Sequence, residues 1–236
     1  MRLYFIRHGQ SENNALYDRT GSDDGRNDDP KLTEIGKEQV RFVAEFLRDC
    51  GDAWDGEPTR KGYGITHLYC SLMYRAVATA SAISRTTGVP LTAWVDWHES
   101  GGMFLEDKDK GEFIVRPGMT RAELIQQFPG IILNGEVNEQ GWWNRPFETD
   151  DQRVIRARRV FHQLIETHGG TDDRVAVVSH GGFYMRFMAA ILGLEEIKPL
   201  WFRMNNTGIT RIDFRNDDNQ LVYHNHITHL PANLIT

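Results

Sequence analysis

A strand-like apolar segment at the start of the chain ends in side chains that could handle a phosphate. Residues 2–7 read RLYFIR, and His8 and Gly9 follow them directly. The segment offers Arg7 as a fixed cation for phosphate oxygens, an imidazole, and a backbone that a ligand can approach closely. These residues predict a phosphate-binding site, although a three-residue motif also arises by chance.

Two further segments strengthen the phosphate interpretation. His180 follows the apolar segment at 174–179, and the helix predicted after it would direct its free N-terminal amides at an anion. Arg75 falls in the first turn of a helix predicted after the apolar segment at 65–71, where its guanidinium could hold phosphate through two hydrogen bonds. Chance is a poor explanation of all three sites together.

Strand-like and helix-like segments alternate along the chain and would position these residues. The three apolar segments are typical of strands buried on both faces. Helical composition recurs at 33–49, 75–86 and 151–168. Near the end, residues 208–214 and 221–227 indicate a hairpin. This order predicts an α/β fold of three layers, α/β/α, with a mainly parallel central sheet and the site at the carboxyl ends of its strands.

The segment at 100–149 interrupts the alternation, and we interpret it as an insertion over the active site. The 236 residues otherwise predict a single domain, in which this segment would be a cap that selects the substrate. Four aromatic side chains could line an apolar wall of the pocket and three arginines could meet a second anionic group, although core packing and solvation are the default interpretations. The aromatic residues are Phe104, Phe113, Trp142 and Trp143, and the arginines are Arg116, Arg121 and Arg145.

A polar loop at 18–30 is the second interruption. It holds five aspartates together with Arg19 and Arg26. A solvated loop is the simpler interpretation, and a gate that repels highly charged ligands is the alternative.

The composition excludes several classes of protein. Hydrophobic residues make up 40% and charged residues 25% of the chain, as in ordinary soluble proteins, and the formal net charge of −6 argues against nucleic acid as a partner. No apolar run approaches the roughly 20 residues that cross a bilayer, so we expect no membrane partner and a cytoplasmic location. Cys50 and Cys70 show no paired spacing, which favours reduced thiols. The predicted partner is a small phosphorylated molecule, and a homodimer is left open.

Several spaced motifs make the sequence resemble the histidine phosphatase superfamily, also called the phosphoglycerate mutase-like family. RHGQS at 7–11 is similar to the family signature, and Asn14 falls at the family's phosphate-contacting asparagine. Thr20 and Gly21 fall where many members contact the substrate. The remaining similar segments are DPKLTEIGKEQ at 29–39, SLMYRAVATA at 71–80 and SHGG at 179–182. Together these motifs are specific, whereas each alone would be weak.

The resemblance implies a role for each matching residue. His8 would be the nucleophile that forms a phosphohistidine, and fixed donors would stabilise the charge on the transferred phosphoryl group. Those donors would be Arg7, Arg75, His180 and Asn14, with Gly181, Thr20 and Gly21 also in the binding site. Glu99 stands where the family has its acid and would protonate the leaving oxygen, with Asp96 as the less favoured alternative and His98 in place of the usual leucine.

Three alternatives remain beside a phosphatase. Glycolytic mutases follow their acid with Arg-His-Tyr-Gly, whereas Glu99 is followed here by Ser-Gly-Gly, so phosphoglycerate mutase activity is the runner-up. A noncatalytic phosphate-binding module is less favoured because the nucleophile, the cations and the acid are all present. A metal-dependent hydrolase would need ligands, but His224, His226 and His229 have no carboxylate spaced to complete a site, so we read them as surface histidines and expect neither metal nor cofactor.

Overall fold

The computed structural model describes residues 1–54, 61–195, 200–215 and 218–236. Within these ranges, strands and helices alternate as the sequence predicts. The strands are β1 (Arg2–Arg7), β2 (His67–Cys70), β3 (Leu91–Ala93), β4 (Phe104–Asp107), β5 (Glu112–Val115), β6 (Arg174–Ser179), β7 (Ile209–Arg215) and β8 (Asp218–His226). The α-helices are α1 (Glu12–Thr20), α2 (Glu34–Asp49), α3 (Tyr74–Thr87), α4 (Arg121–Gln127), α5 (Asp150–His168) and α6 (Gly181–Ile191).

The central sheet aligns the ends of its parallel strands. Its order is β3-β2-β6-β1-β7-β8, and neighbouring strands from β3 to β1 are parallel, whereas β7 is antiparallel to both of its neighbours. Arg7 pairs with Ser179, and Cys70 pairs with Val178. The residues that follow β1, β2 and β6 therefore emerge side by side at one edge of the sheet. The predicted mainly parallel sheet is confirmed.

Helices cover both faces of the sheet, which confirms the three-layer architecture. Tyr4 and Ile6 of β1 pack in the same core cluster as side chains of α2 and α3. Leu3 and Phe5 point to the opposite face and pack with α5 and α6. All four side chains are fully buried, and each burial stabilises the fold by about 1.5–3 kcal/mol.

The predicted terminal hairpin is formed by β7 and β8, although residues 216 and 217 of its turn lie outside the described residues. Among the described residues, none of the helices is both long enough and apolar enough to cross a membrane.

The segment at 100–149 packs into the main core. Trp142 and Trp143 are buried in the cluster that contains α2 and α3, so core packing, the default interpretation, describes them. Ile132 forms a parallel bridge with Thr92 and extends the sheet beyond β3. The hairpin of β4 and β5 lies outside this core, and its turn residue Lys108 forms an ion pair with Asp24 of the polar loop. The segment is thus a continuation of the sheet edge that reaches the loop through one hairpin.

Candidate active site

A cavity of about 530 Å³ opens at the carboxyl edge of the parallel strands. Its lining includes six residues that the sequence singles out, which come from β1, the two loops after β1 and β3, and helices α1, α3 and α6. These residues are Arg7, His8, Asn14, Arg75, Glu99 and Gly181. His180 lies against them, because its ring centroid is 5.1 Å from that of His8. Four separate parts of the chain therefore meet at one cavity.

The ring of His8 is held as a neutral imidazole with a defined proton. Its Nδ1 lies 2.7 Å from the carbonyl oxygen of Gly9, which can only accept, so Nδ1 carries the proton. The Nε atom of Arg75 donates to Nε2 of His8 at 3.0 Å, so Nε2 presents its lone pair. Burial lowers the pKa of His8 well below its usual value, and the charges of Arg75 and Arg7 lower it further. Nε2 is consequently the ring nitrogen that carries the lone pair.

Two buried arginines supply the positive charge of the cavity. Arg75 stands in the first turn of α3, and burial lowers its pKa, as it also does for Arg7. Nη1 of Arg7 donates to the carbonyl of Met204 at 2.6 Å, whereas its buried Nε has no hydrogen-bond partner among the described residues. A buried donor without a partner is costly, and a phosphate oxygen would satisfy it.

Asp29 of the polar loop lies close enough to Arg75 for their opposite charges to interact. Its Oδ1 accepts the backbone N–H of Tyr74 at 2.8 Å, which ties the loop to the N-terminus of α3. Burial raises the pKa of Asp29 to about 6, despite the nearby charge of Arg75. The loop thus places a carboxylate behind the cation that would hold phosphate.

His180 completes the inner wall of the site. Its Nε2 and the hydroxyl of Ser71 share a hydrogen bond of 2.8 Å, and the Ser71 oxygen also accepts the N–H of Met73. Burial lowers the pKa of His180 well below its usual value, with a further contribution from Arg75. Its buried Nδ1 has no partner among the described residues. The ring therefore has one nitrogen that anchors it and one that could bind a ligand.

Glu99 is the carboxylate that lies in the cavity. Its Oε1 accepts the N–H of Ser100 at 2.7 Å, and its Oε2 accepts the N–H of Gly182 at 3.1 Å. Gly182 allows this approach because it lacks a side chain: a Cβ there would lie 2.6 Å from Oε1. The first turn of α6 thus holds the Glu99 carboxylate in the cavity.

Asp96, the alternative acid, is bound elsewhere. Its carboxylate accepts hydrogen bonds from Arg145 at 2.9 Å and from Arg159 at 2.8 Å, and it does not line the cavity. Burial would raise the pKa of Asp96, but the hydrogen bonds from the two arginines outweigh burial and lower it. The geometry therefore favours Glu99 over Asp96.

Asn14 is oriented by a residue that sequence reasoning missed. Its Oδ1 accepts from the N–H of Ser11 at 3.1 Å and from Nδ2 of Asn206 at 3.2 Å, which leaves its own Nδ2 as the donor for an anion. Nδ2 of Asn206 also donates to the carbonyl of His8 at 2.9 Å. No motif marks Asn206. In the sequence, Asn206 is distinguished only as a polar residue two positions before Gly208, the glycine that precedes β7.

The outer part of the cavity holds charges that the sequence did not assign to it. Arg203 lines the cavity, and its side chain has no ion pair among the described residues. Arg26 of the polar loop lies over the ring of Phe104, 5.0 Å from its centroid, and also lines the cavity, as do Asp18 and Asp23. The polar loop therefore forms one wall of the site rather than a solvated surface alone.

Several residues that the sequence suggested as substrate contacts do not line the cavity. Thr20 and Gly21 end α1 on the exposed surface: the Thr20 hydroxyl bonds to the carbonyl of Leu16, and Gly21 adopts the left-handed conformation that caps the helix. The predicted substrate contact of these two residues is not supported.

The three arginines suggested for a second anion also bind other groups. Arg116 lies near Asp28, Arg121 bonds to the carbonyls of residues 134 and 137, and Arg145 binds Asp96 and Glu136.

The aromatic residues of the segment at 100–149 do not line the cavity. Trp142 and Trp143 are buried in the core, whereas Phe113 stacks on Phe147 and Phe104 meets Phe147 edge to face. The predicted apolar wall of the pocket is therefore wrong for the cavity that contains His8.

Among the described residues, no carboxylates join the histidines near the chain end in a group that could hold a metal ion. Nε2 of His224 donates to the carbonyl of Arg203 at 2.9 Å. His229 is buried, with its Nε2 3.1 Å from the Thr207 hydroxyl, so the interpretation as a surface histidine is wrong for this residue. His67, His168 and Asp173 do lie close enough to share a cation, but they are at the amino ends of β2 and β6, opposite the cavity.

Comparisons with known proteins agree with this geometry. The family model of the histidine phosphatase superfamily, branch 1, matches residues 3–227. The chain therefore belongs to the histidine phosphatase superfamily and is an enzyme of that class. It is 28% identical over 230 residues, 97% of each chain, to a Hydrogenobacter thermophilus protein provisionally named phosphoserine phosphatase 2. It is 25% identical over 215 residues, 91% of this chain and 86% of the relative, to a Photorhabdus laumondii protein provisionally named phosphoglycerate mutase.

The fold is also found in solved structures. The phosphoserine phosphatase of Entamoeba histolytica, in complex with 3-phosphoglyceric acid, superimposes with a TM-score of 0.60 at 19% identity, covering 98% of this chain and 99% of that chain. At this identity the likeness supports the fold, and the reaction must be argued from the site.

Proposed function

We propose that this enzyme is a phosphatase that hydrolyses a small phosphate monoester through a phosphohistidine on His8. The state of the His8 ring carries the proposal. The Gly9 carbonyl accepts the Nδ1 proton, so Nε2 is an unprotonated nitrogen within a cavity lined by two arginines. A neutral imidazole next to positive charge is suited to attack a dianionic phosphate.

In the first step, Nε2 of His8 bonds to phosphorus as the bond to the leaving oxygen breaks. Negative charge spreads over three phosphoryl oxygens, which Arg7, Arg75 and Asn14 would bind. Arg75 would exchange its hydrogen bond to Nε2 for one to a phosphoryl oxygen. Glu99, in its acid form, gives its proton to the leaving oxygen, so the product departs as an alcohol.

In the second step, water replaces the histidine. The Glu99 carboxylate takes a proton from the water as its oxygen bonds to phosphorus, and the bond from phosphorus to Nε2 breaks. Inorganic phosphate leaves, and Glu99 is again an acid. No metal takes part in either proposed step, because the charge is neutralised by Arg7 and Arg75.

The test is to trap the intermediate. Purified enzyme mixed with ³²P-labelled substrate and quenched in alkali should carry label on His8, and phosphate release should survive a chelator. His8→Ala should remove both label and turnover. Turnover that persists in His8→Ala, or that a chelator abolishes, would contradict the proposal.

Mutase activity remains the second candidate because several relatives bear that name. Both reactions use the same phosphohistidine, and they differ in whether water or a substrate hydroxyl accepts the phosphoryl group. A coupled assay of phosphoglycerate interconversion, run beside phosphate release, separates them. Interconversion faster than release would replace the phosphatase proposal with the mutase.

The outer cavity indicates the kind of substrate. With Arg7 and Arg75 engaged by phosphate, Arg203 remains as a cation without an ion-pair partner among the described residues. We propose that it binds a carboxylate on the substrate, a group that phosphoserine and phosphoglycerate, the substrates named for the relatives, both carry.

A matched pair of substrates tests this role. 3-Phosphoglycerate and glycerol 3-phosphate differ by the carboxylate, and Arg203→Ala should lower kcat/KM for the first by roughly tenfold or more while changing the second little. Equal effects on both substrates would rule out the carboxylate contact.

The segment at 100–149 would influence substrate choice indirectly. Lys108 pairs with Asp24, and Arg116 lies 3.7 Å from Asp28, so the segment contacts the loop that forms one wall of the cavity. We propose that it shapes the cavity through that loop. Lys108→Ala should then change the preference among substrates more than the rate with p-nitrophenyl phosphate.

A further inference from the structure

We propose that the buried ion pair of Arg156 and Glu148 positions Glu99 for proton transfer. This inference rests on the proposed role of Glu99 as the acid. Neither residue lines the catalytic cavity, and sequence reasoning assigned no role to either. Both are positioning residues, because they act on the loop that carries the acid.

The pair holds the backbone on both sides of Glu99. Nη1 of Arg156 donates to the carbonyl of Asp96 at 2.7 Å and to the carbonyl of His98 at 2.9 Å. The carboxylate of Glu148 accepts the N–H of Gly101 at 3.3 Å. The loop is therefore anchored at three backbone positions that bracket residue 99.

Arg156 and Glu148 are themselves held rigidly. Nε of Arg156 donates to Oε1 of Glu148 at 2.6 Å, and Nη2 donates to Oε2 at 2.8 Å, a bidentate pair. The two side chains are 2% and 8% exposed. The planar guanidinium can make these two bonds and the two backbone bonds in only one orientation. It therefore fixes the loop that carries Glu99, residues 96–101, relative to α5.

The same guanidinium links the acid loop to α6. It lies over the ring of Phe183, 4.3 Å from the centroid. Phe183 adjoins Gly182, whose N–H donates to Glu99. Arg156 thus contacts both parts of the chain that hold Glu99: the loop that carries its backbone and the first turn of α6, which binds its carboxylate.

Stability alone does not explain this arrangement. Replacing a buried ion pair with apolar side chains of similar size is often neutral or stabilising. Catalytic groups, in contrast, must be placed within about 0.5 Å of their productive position. Arg156 donates its remaining hydrogen bonds to the loop that carries Glu99, and this arrangement fits the need for exact placement of a catalytic group.

The test compares substrates that need the acid with one that does not. An alkyl phosphate needs its leaving oxygen protonated, whereas p-nitrophenyl phosphate has a good leaving group. The double variant Arg156→Met with Glu148→Leu roughly keeps the volume and removes every side-chain hydrogen bond of the pair. We expect kcat/KM to fall about tenfold or more for the alkyl phosphate and less than threefold for p-nitrophenyl phosphate. In a Glu99→Gln background, the double replacement should cause no further selective loss.

Val160→Ala is the matched control. Val160 lies one turn further along α5, is fully buried and has no side-chain hydrogen bond, so its truncation destabilises the same helix without touching the acid loop. It should lower the melting temperature and leave the ratio of the two activities unchanged. Should the double variant not fold, Arg156→Lys provides the measurement, because it retains the charge and loses the bidentate geometry.

The outcomes separate this inference from the proposed function. If Glu99→Gln itself shows no selective loss, the role of Glu99 as the acid is refuted. If Glu99→Gln shows the loss but the double variant and Arg156→Lys lower both activities equally, the positioning role is refuted.

Discussion

Adding one methyl group at Gly182 should displace the acid while leaving the fold intact. The Cβ of Gly182→Ala would lie 2.6 Å from Oε1 and 3.0 Å from Cδ of Glu99, whereas ordinary contact begins at 3.4 Å. The carboxylate must therefore retreat by roughly 0.8 Å, and a displacement of about 1 Å can cost about 100-fold in rate. We expect a loss of about 10- to 100-fold in kcat/KM for an alkyl phosphate.

The stability of Gly182→Ala should hold or rise although its activity falls. Residue 182 lies inside α6 and is not among the residues with positive φ, so alanine can adopt its backbone conformation. Alanine is favoured over glycine within a helix by about 1 kcal/mol. A variant that loses activity while its melting temperature holds or rises would show that the methyl group acts on the acid and not on folding.

The assay is kcat/KM for an alkyl phosphate and for p-nitrophenyl phosphate, measured beside thermal unfolding. Gly181→Ala is the comparison, because its Cβ would meet Arg7 at 3.7 Å, an ordinary contact, and no part of Glu99. Crowding of the phosphate by that methyl group would lower both activities alike. The reasoning is refuted if Gly182→Ala retains the parental rate with the alkyl phosphate, or loses both activities equally.

Three further predictions follow from the site. His8, His98 and His180 have pKa values lowered chiefly by burial, so below the unfolded pKa of about 6.5 the unfolded chain binds protons that the folded chain does not. Denaturant titrations should show stability lost as pH falls from 6.5, by up to about 4 kcal/mol per pH unit for three such groups, and a flat profile would contradict the neutral state of these rings. Asp29 has the opposite sign, because burial raises its pKa from 3.8 to about 6, so stability is lost as pH rises from 3.8 to about 6 and the loss is complete above that range. Asp29→Asn should therefore raise the melting temperature more at pH 8 than at pH 5, and an equal rise at both would exclude ionisation as the cause. Asn206→Ala removes a donor to the His8 carbonyl and to Asn14, so inhibition by inorganic phosphate should weaken roughly tenfold, and unchanged inhibition would show that Asn14 is oriented without it.

The inner site could be predicted from the sequence because its residues are tied to the ends of strands. β1 and β6 are runs of mostly buried residues and β2 alternates between buried and half-buried ones; polar residues follow each strand, and parallel pairing places such ends at a common edge. The local sequence around each strand end is therefore enough to predict that His8, Arg75 and His180 meet. The spacing of motifs identified the family for the same reason.

The choice between Glu99 and Asp96 could not be made from spacing alone. Both carboxylates follow β3 within a few residues, and their surroundings differ only after folding. Asp96 meets Arg145 and Arg159, whereas Glu99 meets the N-terminus of α6. Contacts between distant parts of the chain determine which of the two lies in the cavity.

By itself, the sequence determined the alternation of strands and helices and the meeting of His8, Arg7 and Arg75 at one cavity, since these follow from hydrophobic pattern and local motifs. Only the tertiary structure decided that Trp142 belongs to the core, that Arg203 faces the cavity, and that Arg156 holds the loop of the acid. Those roles depend on partners that lie far away in sequence. A side chain's identity shows which bonds it can make, but its neighbours in the folded chain decide which bonds it does make.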